Sequence, residues 1–368
     1  MSIENRVFMK IAFYFGSLNR GGSETLVCDV LRHWRDLPFE AVCIYRNEGN
    51  MSDDFHATGA PMVHIPRKGN WLTYLLDMCK VLHNEGVDIL HAQTSLNAMT
   101  AVICSWLMGV KAVTTFHGFG FEKAPRWKKR MVGSGNKKLL FVSEYMRNRY
   151  LKAGVGTQEG KCAVVYNGID MSKFGPVRAP KPVGERVEMC MVGSFGLVRD
   201  QYFVCRFLKR VHEAGIPFHF TFIGGARKGE EKALETCQTF CHDNGLDDCV
   251  TFAGVRHDVP ALLKEMDLFV YASRCDTFGI AVAEAVATGM PVMVNDWDVM
   301  REVTAEGKWA WLYPSGNVDA LFDLYTQFIQ RPDTFVNKAI EHAHAVREAY
   351  SIEKHVETLN SIYRSILK

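Results

Sequence analysis

Two carboxylates, Asp276 and Glu284, stand with seven residues between them in the stretch DTFGIAVAEAVATGMP, which Gly289 and Pro291 close. Backbone N–H groups around Phe278, Gly279 and Ile280 lie where a helix starts, and such groups receive negative charge. Glu284 falls about one turn into that helix and is placed to accept hydrogen bonds from a sugar diol, with Asp276 on the loop before it. Ala281, Ala283, Ala285 and Ala287 keep the helix thin, so a ligand can approach its backbone. Three further stretches carry chemistry. GSLNRGG at 16–22 ends in Gly21 and Gly22, a turn able to hold phosphate. GSFGLVRDQ at 193–201 carries Ser194 and Arg199, and a guanidinium grips phosphate in a forked geometry. TTFHGFG at 114–120 presents His117 with room made by Gly118. Each has a plainer reading: an ordinary strand-loop-helix unit, a tight turn, a solvated arginine, a packed histidine.

These residues need strands to deliver them. Lys10–Phe15 is an apolar run that predicts a strand before GSLNRGG, and Ser23 is placed to cap the helix that follows to about His33. Strands are expected at 41–45, 62–65, 89–92, 111–116, 139–142 and 161–165, with helices over 71–85, 97–107 and 144–151. His117 would then stand just past a strand, at the carboxyl edge of a parallel sheet, where ligands bind in doubly wound folds. His91 and Gln93 end a neighbouring strand and are weaker candidates for an acceptor site. The glycine spacing of 16–22 is neither the dinucleotide fingerprint nor a nucleoside-triphosphatase loop. Asn167–Gly168 is a turn signal. Residues 174–185 hold Pro176, Pro180, Pro182, Gly175 and Gly184, a linker composition that places a domain boundary there. The first domain is expected over 1–173 and the second over 186–349, with the terminal helix from 350 returning to the first. In the second, strands are expected at 187–192, 218–223, 250–252, 268–271, 292–294 and 309–312. Helices are expected to about 214, over 230–242, 259–266, 318–330 and 333–345, and along 350–367, where apolar residues recur at three and four. Asp296–Trp297–Asp298 is assigned no role.

With 368 residues, 48 % hydrophobic and 23 % charged, the chain can bury one large core or two ordinary ones. Eleven cysteines without framework spacing fit reduced thiols in a cytosolic protein. Cys237, Cys241, His242 and Cys249 do not have zinc spacing. There is no eighteen-residue apolar run and no secretory leader, so no spanning helix is expected. The first eight residues read as a short disordered lead. KAPRWKKR at 123–130, with Lys137, Lys138, Arg147, Arg149 and Lys152 after it, surrounds Trp127 with positive charge. Residues 121–152 suit peripheral contact with an anionic membrane, or form a solvated, mobile cationic loop. No aromatic ladder or recognition helix supports a nucleic-acid partner.

Asp276, Phe278, Gly279, Glu284, Ala285, Gly289 and Pro291 together resemble the signature of retaining glycosyltransferases of family 4, which have the GT-B fold. The usual first carboxylate of that pattern is Glu, and this chain has Asp276. The His-Gly element at 117–118, the Ser143 element and Asn167–Gly168–Ile169–Asp170 resemble further parts of the family in the same order. The resemblance implies an α/β protein of two Rossmann-like domains facing across a cleft, the donor nucleotide sugar on the second and the acceptor on the first. It implies hexosyl transfer with retained configuration in bacterial surface-polysaccharide or lipopolysaccharide assembly, from a nucleotide sugar, UDP-linked in the first instance. The acceptor would be a saccharide or a polyprenyl-linked saccharide. No cofactor and no essential metal is implied.

By the same resemblance Gly21 and Gly22 reach the donor diphosphate through their backbone, and His117 lines the reaction centre and can bond the sugar hydroxymethyl. Asp276 and the Phe278, Gly279 and Ile280 amides hold sugar hydroxyls, Glu284 holds the ribose diol, and Val255 and Arg256 offer backbone to the base. The phosphate loop of the family carries Arg after its first Gly and Lys five residues later; here Ser194 and Arg199 take those places, so one cation is missing. Arg20 is a candidate replacement. A GT-B nucleotide-sugar epimerase or hydrolase, and a nucleotide-sugar-binding protein with weak catalysis, remain alternatives. A dehydrogenase is disfavoured because no NAD fingerprint is present. The expected location is cytoplasmic, with peripheral contact at the inner face of the cytoplasmic membrane.

Overall fold

The computed structural model describes residues 9–67, 69–156 and 159–368; the expected disordered lead lies outside them. The chain forms two compact units. One takes the chain up to Gly168 together with Ile352–Lys368, the other Ile169–Ser351.

The first unit holds seven parallel strands, β1 (Lys10–Phe15), β2 (Glu40–Tyr45), β3 (Met62–His64), β4 (Ile89–Ala92), β5 (Lys111–Phe116), β6 (Lys138–Phe141) and β7 (Cys162–Val164), in the order β3-β2-β1-β4-β5-β6-β7. The second holds six, β8 (Val187–Val192), β9 (Phe218–Ile223), β10 (Val250–Phe252), β11 (Leu268–Tyr271), β12 (Val292–Asn295) and β13 (Trp311–Tyr313), in the order β10-β9-β8-β11-β12-β13. A parallel sheet is covered by helices on both faces, so its central strands are apolar throughout. That is why Ile11–Phe15 and Leu268–Tyr271 are wholly buried. In each unit the strand order reverses once, between β1 and β4 and between β8 and β11. The carboxyl ends of the strands at such a reversal are where doubly wound folds bind ligands.

Several expectations are corrected in detail. Ser23 does not cap the first helix. Gly22–Arg32 begins one residue earlier, with Gly21 extended at the cap and Thr25 N–H donating to the Gly21 carbonyl. The Ser23 hydroxyl turns instead to Glu24. The basic segment is not a loop, because Arg126–Gly135 is helical behind Pro125. The last strand starts at Trp311, two residues late, because Ala305, Glu306 and Gly307 take left-handed φ and spend the intervening chain on a turn closed by Trp309 N–H to the Thr304 carbonyl. The preceding helix extends through Pro332–Tyr350, so the terminal helix is Ile352–Leu367.

That terminal helix belongs to the first unit's core, where Leu359 and Tyr363 pack with Ile11, Phe13 and Phe39. Gly168 permits the approach: a side chain there would meet Ile352 Cα at 2.9 Å. His91, on β4, completes the attachment. Its Nδ1 lies 2.6 Å from the Tyr363 hydroxyl and its Nε2 2.6 Å from Thr115 Oγ1. Both ring nitrogens are thus used to hold the fold. Tyr363→Phe would strand a buried imidazole nitrogen, which costs about 1–3 kcal/mol. Urea unfolding should show a loss of that size, and an unchanged midpoint would mean the bond contributes nothing.

Candidate functional site

In the second unit the reversal of strand order brings the loop after β8 against the loop after β11. Asp200 N–H donates to the Ala272 carbonyl (3.0 Å) and Arg274 N–H to the Val198 carbonyl (2.9 Å). Gly193 and Gly224 make the packing possible. A side chain on Gly224 would strike the Gly193 carbonyl, and one on Gly193 would strike Arg199. Arg199 therefore lies flat on the backbone at the end of β8, with 18 % of its side chain exposed.

Its orientation is fixed by Tyr271, the last residue of β11. Arg199 Nε donates to the Tyr271 hydroxyl oxygen at 3.0 Å, and that hydroxyl donates to Asp276 Oδ2 at 2.6 Å. Asp276 Oδ1 faces Arg199 Nη2 at 4.0 Å. The Tyr271 oxygen first, and Asp276 with it, hold the guanidinium above its usual pKa against the opposing effect of burial, so it stays charged. Burial pushes the Tyr271 phenol up, so it remains a hydrogen-bond donor. Ser194 joins the group: its Oγ accepts from Arg199 Nη1 at 3.2 Å and from Arg227 Nε at 3.1 Å. Ser194, Arg199 and Asp276 are thus brought together. Tyr271 and Arg227 were missed in the sequence. The signal for Tyr271 was a hydroxyl ending an otherwise apolar run five residues before Asp276; Arg227 sits two residues after a Gly-Gly pair and carried no pattern.

Beyond Asp276 the chain turns into the helix Ile280–Ala287. Gly279 caps it at φ 87, and a side chain there would come within 2.6 Å of Met300 Cε, so the position needs glycine on two counts. A glycine cap places no side-chain oxygen over the first turn, whose leading N–H groups have no intrahelical acceptor. Phe278 anchors the turn, its ring 5.1 Å from Tyr350. Glu284 is half-exposed on a helix whose Val282, Ala283, Ala285 and Val286 are buried. Val255 is exposed and lies against Gly225. The Arg256 guanidinium is forked onto Asp258 at 2.8 and 2.6 Å, so what Arg256 offers a ligand is its backbone. Asp296, in the segment assigned no role, accepts from the Ser315 N–H and hydroxyl. Cys205 lies against Cys237 and Cys241, the thiols weighed as metal ligands.

At the corresponding strand ends of the first unit stand Gly21 and Gly22 after β1, Gln93 after β4 and His117 after β5. Glu24 stands over the glycines; a side chain on Gly21 would meet its Oε2 at 2.6 Å. Burial raises the Glu24 pKa. Arg20, considered as a replacement cation, is paired with Asp54 at 2.9 Å. His117 Nε2 lies 3.2 Å from Gln93 Oε1. Burial, with His355 beside it, holds His117 down to about 3, so the imidazole is neutral. A neutral ring can bond a sugar hydroxyl without adding charge.

Two family models match the chain: Glycosyltransferase Family 4 over residues 20–173 and Glycosyl transferases group 1 over residues 186–331. The chain is similar to a UDP-Gal:alpha-D-GlcNAc-diphosphoundecaprenol alpha-1,3-galactosyltransferase of Escherichia coli. They are 26 % identical over 240 residues, which cover 60 % of this chain and 61 % of the relative. It is also similar to the lipopolysaccharide core biosynthesis mannosyltransferase LpsB of Rhizobium meliloti, 22 % identical over 76 % of this chain and 79 % of LpsB. Among solved structures, Anabaena HepE in complex with UDP-glucose superposes with a TM-score of 0.84 at 18 % identity, over 97 % of this chain and 100 % of HepE. The lipopolysaccharide outer core galactosyltransferase WaaB in its apo form superposes at 0.74 and 15 % identity, over 97 % of this chain and 99 % of WaaB. The fold shared with these structures is GT-B, two Rossmann-like domains.

Three histidines of the first unit make its stability depend on pH. Burial holds His355 to about 4, His117 to about 3, and His91 well below the ordinary imidazole value of 6.5. The unfolded chain then binds protons that the folded one refuses, so stability is complete above pH 6.5 and falls as pH drops toward 4. The slope is about 1.4 kcal/mol per pH unit for each such histidine. Denaturation at a series of pH values should show the decline; a flat profile from 6.5 to 4.5 would contradict the burial of these rings.

Proposed function

We propose, from the premise that the chain belongs to glycosyltransferase family 4, that it moves a hexosyl unit from a nucleotide sugar to a saccharide or polyprenyl-linked acceptor, with retained configuration, in surface-polysaccharide or lipopolysaccharide assembly. The donor is read as a UDP-sugar. The E. coli relative is named for a UDP-linked donor and a diphosphoundecaprenol-linked acceptor, and HepE was solved with UDP-glucose. The observation that carries the proposal is the charged Arg199, aimed by Tyr271 and Asp276, beside a glycine-capped helix start and Glu284. An epimerase or an inactive binder is not favoured, because the matched families and named relatives are transferases.

In this reading the bond between the anomeric carbon and the diphosphate breaks as the acceptor oxygen bonds that carbon from the same face. The acceptor proton passes to the departing phosphate oxygen. Arg199 takes the charge that develops there, and such preorganised stabilisation is the largest part of catalysis in many enzymes. Glu284 accepts from the ribose diol, and the Val255–Arg256 backbone meets the base. Asp276 and the backbone from Phe278 to Ile280 meet sugar hydroxyls. His117, neutral, lines the sugar. The scheme calls on side chains and backbone of the protein and on no metal.

The acceptor side involves the basic segment. Trp127 is exposed on the helix Arg126–Gly135, with the Lys128 ammonium 5.4 Å from its ring centre. Lys129 is held by the Glu122 and Ala153 carbonyls, and Arg149 by Glu122. Arg126 and Arg130 are exposed and would meet lipid phosphates. Among the described residues no helix is long and apolar enough to cross a membrane. Peripheral contact from the cytoplasmic side would deliver a lipid-borne acceptor.

Two experiments test this. Glu284→Gln should weaken donor binding by about tenfold or more, since a charged acceptor for two hydroxyls becomes neutral; normal turnover with an unchanged donor KM would sink the assignment. Sedimentation with phosphatidylglycerol vesicles at physiological salt should carry the protein down, and Arg126→Glu with Arg130→Glu should release it. A protein that stays in the supernatant has no such membrane contact.

A further inference from the structure

We infer that Arg227 is the second cation of the leaving-diphosphate site, supplying from the loop after β9 the charge that Ser194 does not. The inference rests on the donor reading above and extends it to a residue outside the expected phosphate loop.

The two loops are built as one surface. Phe195 N–H donates to the Gly225 carbonyl at 2.9 Å, Arg227 N–H returns to the Phe195 carbonyl at 3.0 Å, and Phe195 and Ala226 pair as a parallel bridge. Arg227 is thereby fixed across from Ser194, and its Nε reaches the Ser194 hydroxyl. The other donor on that oxygen is Arg199 Nη1. A neutral hydroxyl oxygen thus receives two guanidinium groups at once. Like charges held this close cost free energy until an anion joins them.

The acids nearby do not supply that anion. Glu230 accepts from the Leu197 N–H at 2.8 Å and Glu231 from the Gly229 N–H at 2.9 Å, so both serve the backbone of the two loops. Asp276 sits on the Arg199 side. Arg227 is exposed and, among the described residues, has no ion pair. A diphosphate has more negative charge than one guanidinium neutralises, and its oxygens can take the place of the Ser194 hydroxyl between the two. An arginine side chain at 194 would occupy the space where Arg199 and Arg227 converge, so one residue exchange accounts for both the missing cation and the new one.

The test is calorimetric, on the full chain, with UDP, UMP and uridine. Arg227→Ala should weaken UDP by about tenfold or more, leave uridine within about twofold, and lower the salt dependence of UDP binding. Ser194→Arg in the Arg227→Ala background should recover most of the loss, a rescue that a merely structural role for Arg227 would not allow. UDP binding within about twofold of wild type in Arg227→Ala overturns the inference, as does an equal loss for UDP and uridine. If the wild-type protein binds none of UDP, GDP, ADP or dTDP at millimolar concentration, the donor reading itself fails, and this inference falls with it.

Discussion

A guanidinium withdrawn from water is useful only if its direction is set before the ligand arrives. Here the direction comes from one phenol. Tyr271 accepts from Arg199 and donates to Asp276, so a single hydroxyl orders the hydrogen bonds of a cation and an anion at once. The phenol is itself anchored, since the backbone carbonyl of Tyr271 accepts from the buried Tyr313 hydroxyl at 2.7 Å. Desolvating a charge costs several kcal/mol unless partners replace the lost water. Tyr271 at the end of β11, with Ser194 and Asp276, supplies those partners, and the glycines at 193 and 224 leave the room for Arg199 to reach them.

The two units use the same topological device for different electrostatics. In the second, the strand ends at the reversal of strand order gather two guanidinium groups around Ser194. In the first, the ends of β4 and β5 carry a neutral His117 and Gln93, while Glu24 and Arg20 stand beside the glycine turn after β1. Burial keeps His117 neutral in the first unit, and hydrogen-bonded partners preserve the charge of Arg199 in the second. The difference arises from side chains at strand ends, because the sheets that carry them are alike.

Much of this was readable from the sequence for a physical reason. Parallel strands buried on both faces are near-continuous apolar runs, so β1 and β11 are legible with their ends correct, and β4, β5, β8, β9 and β10 are legible too although each carries a polar residue. The carboxylate pair and Gly279 were visible because a helix start after such a run has few alternatives. What escaped depends on contacts distant in the chain. His91 looked like a ligand-facing residue at a strand end, and only Tyr363, 272 positions away, shows it to be a clasp on the terminal helix. Tyr271 was hidden in an apolar run because a buried phenol and a buried phenylalanine give the same pattern. Arg227 was hidden because convergence on Ser194 is a matter of two loops meeting. The helix at Arg126–Gly135 was obscured by its charge, which breaks the apolar period without opposing helix formation.

The two departures from the family pattern, Ser194 and Asp276, bear on each other through Arg199. Serine at 194 accepts from one end of the guanidinium, and aspartate at 276, one methylene shorter than glutamate, stays back at the phenol near the other. A glutamate there would carry its carboxylate past Tyr271, toward whatever the site binds. An arginine at 194 would set its own charge beside Arg199 instead of receiving its hydrogen bond. Each change alone would disturb the group, the one by removing charge, the other by shortening a reach. Together they leave Arg199 held at three points, and they leave the balance of charge to be met from the neighbouring loop. Substitution at a site of this kind is better judged by where the charge ends up than by which position carries it.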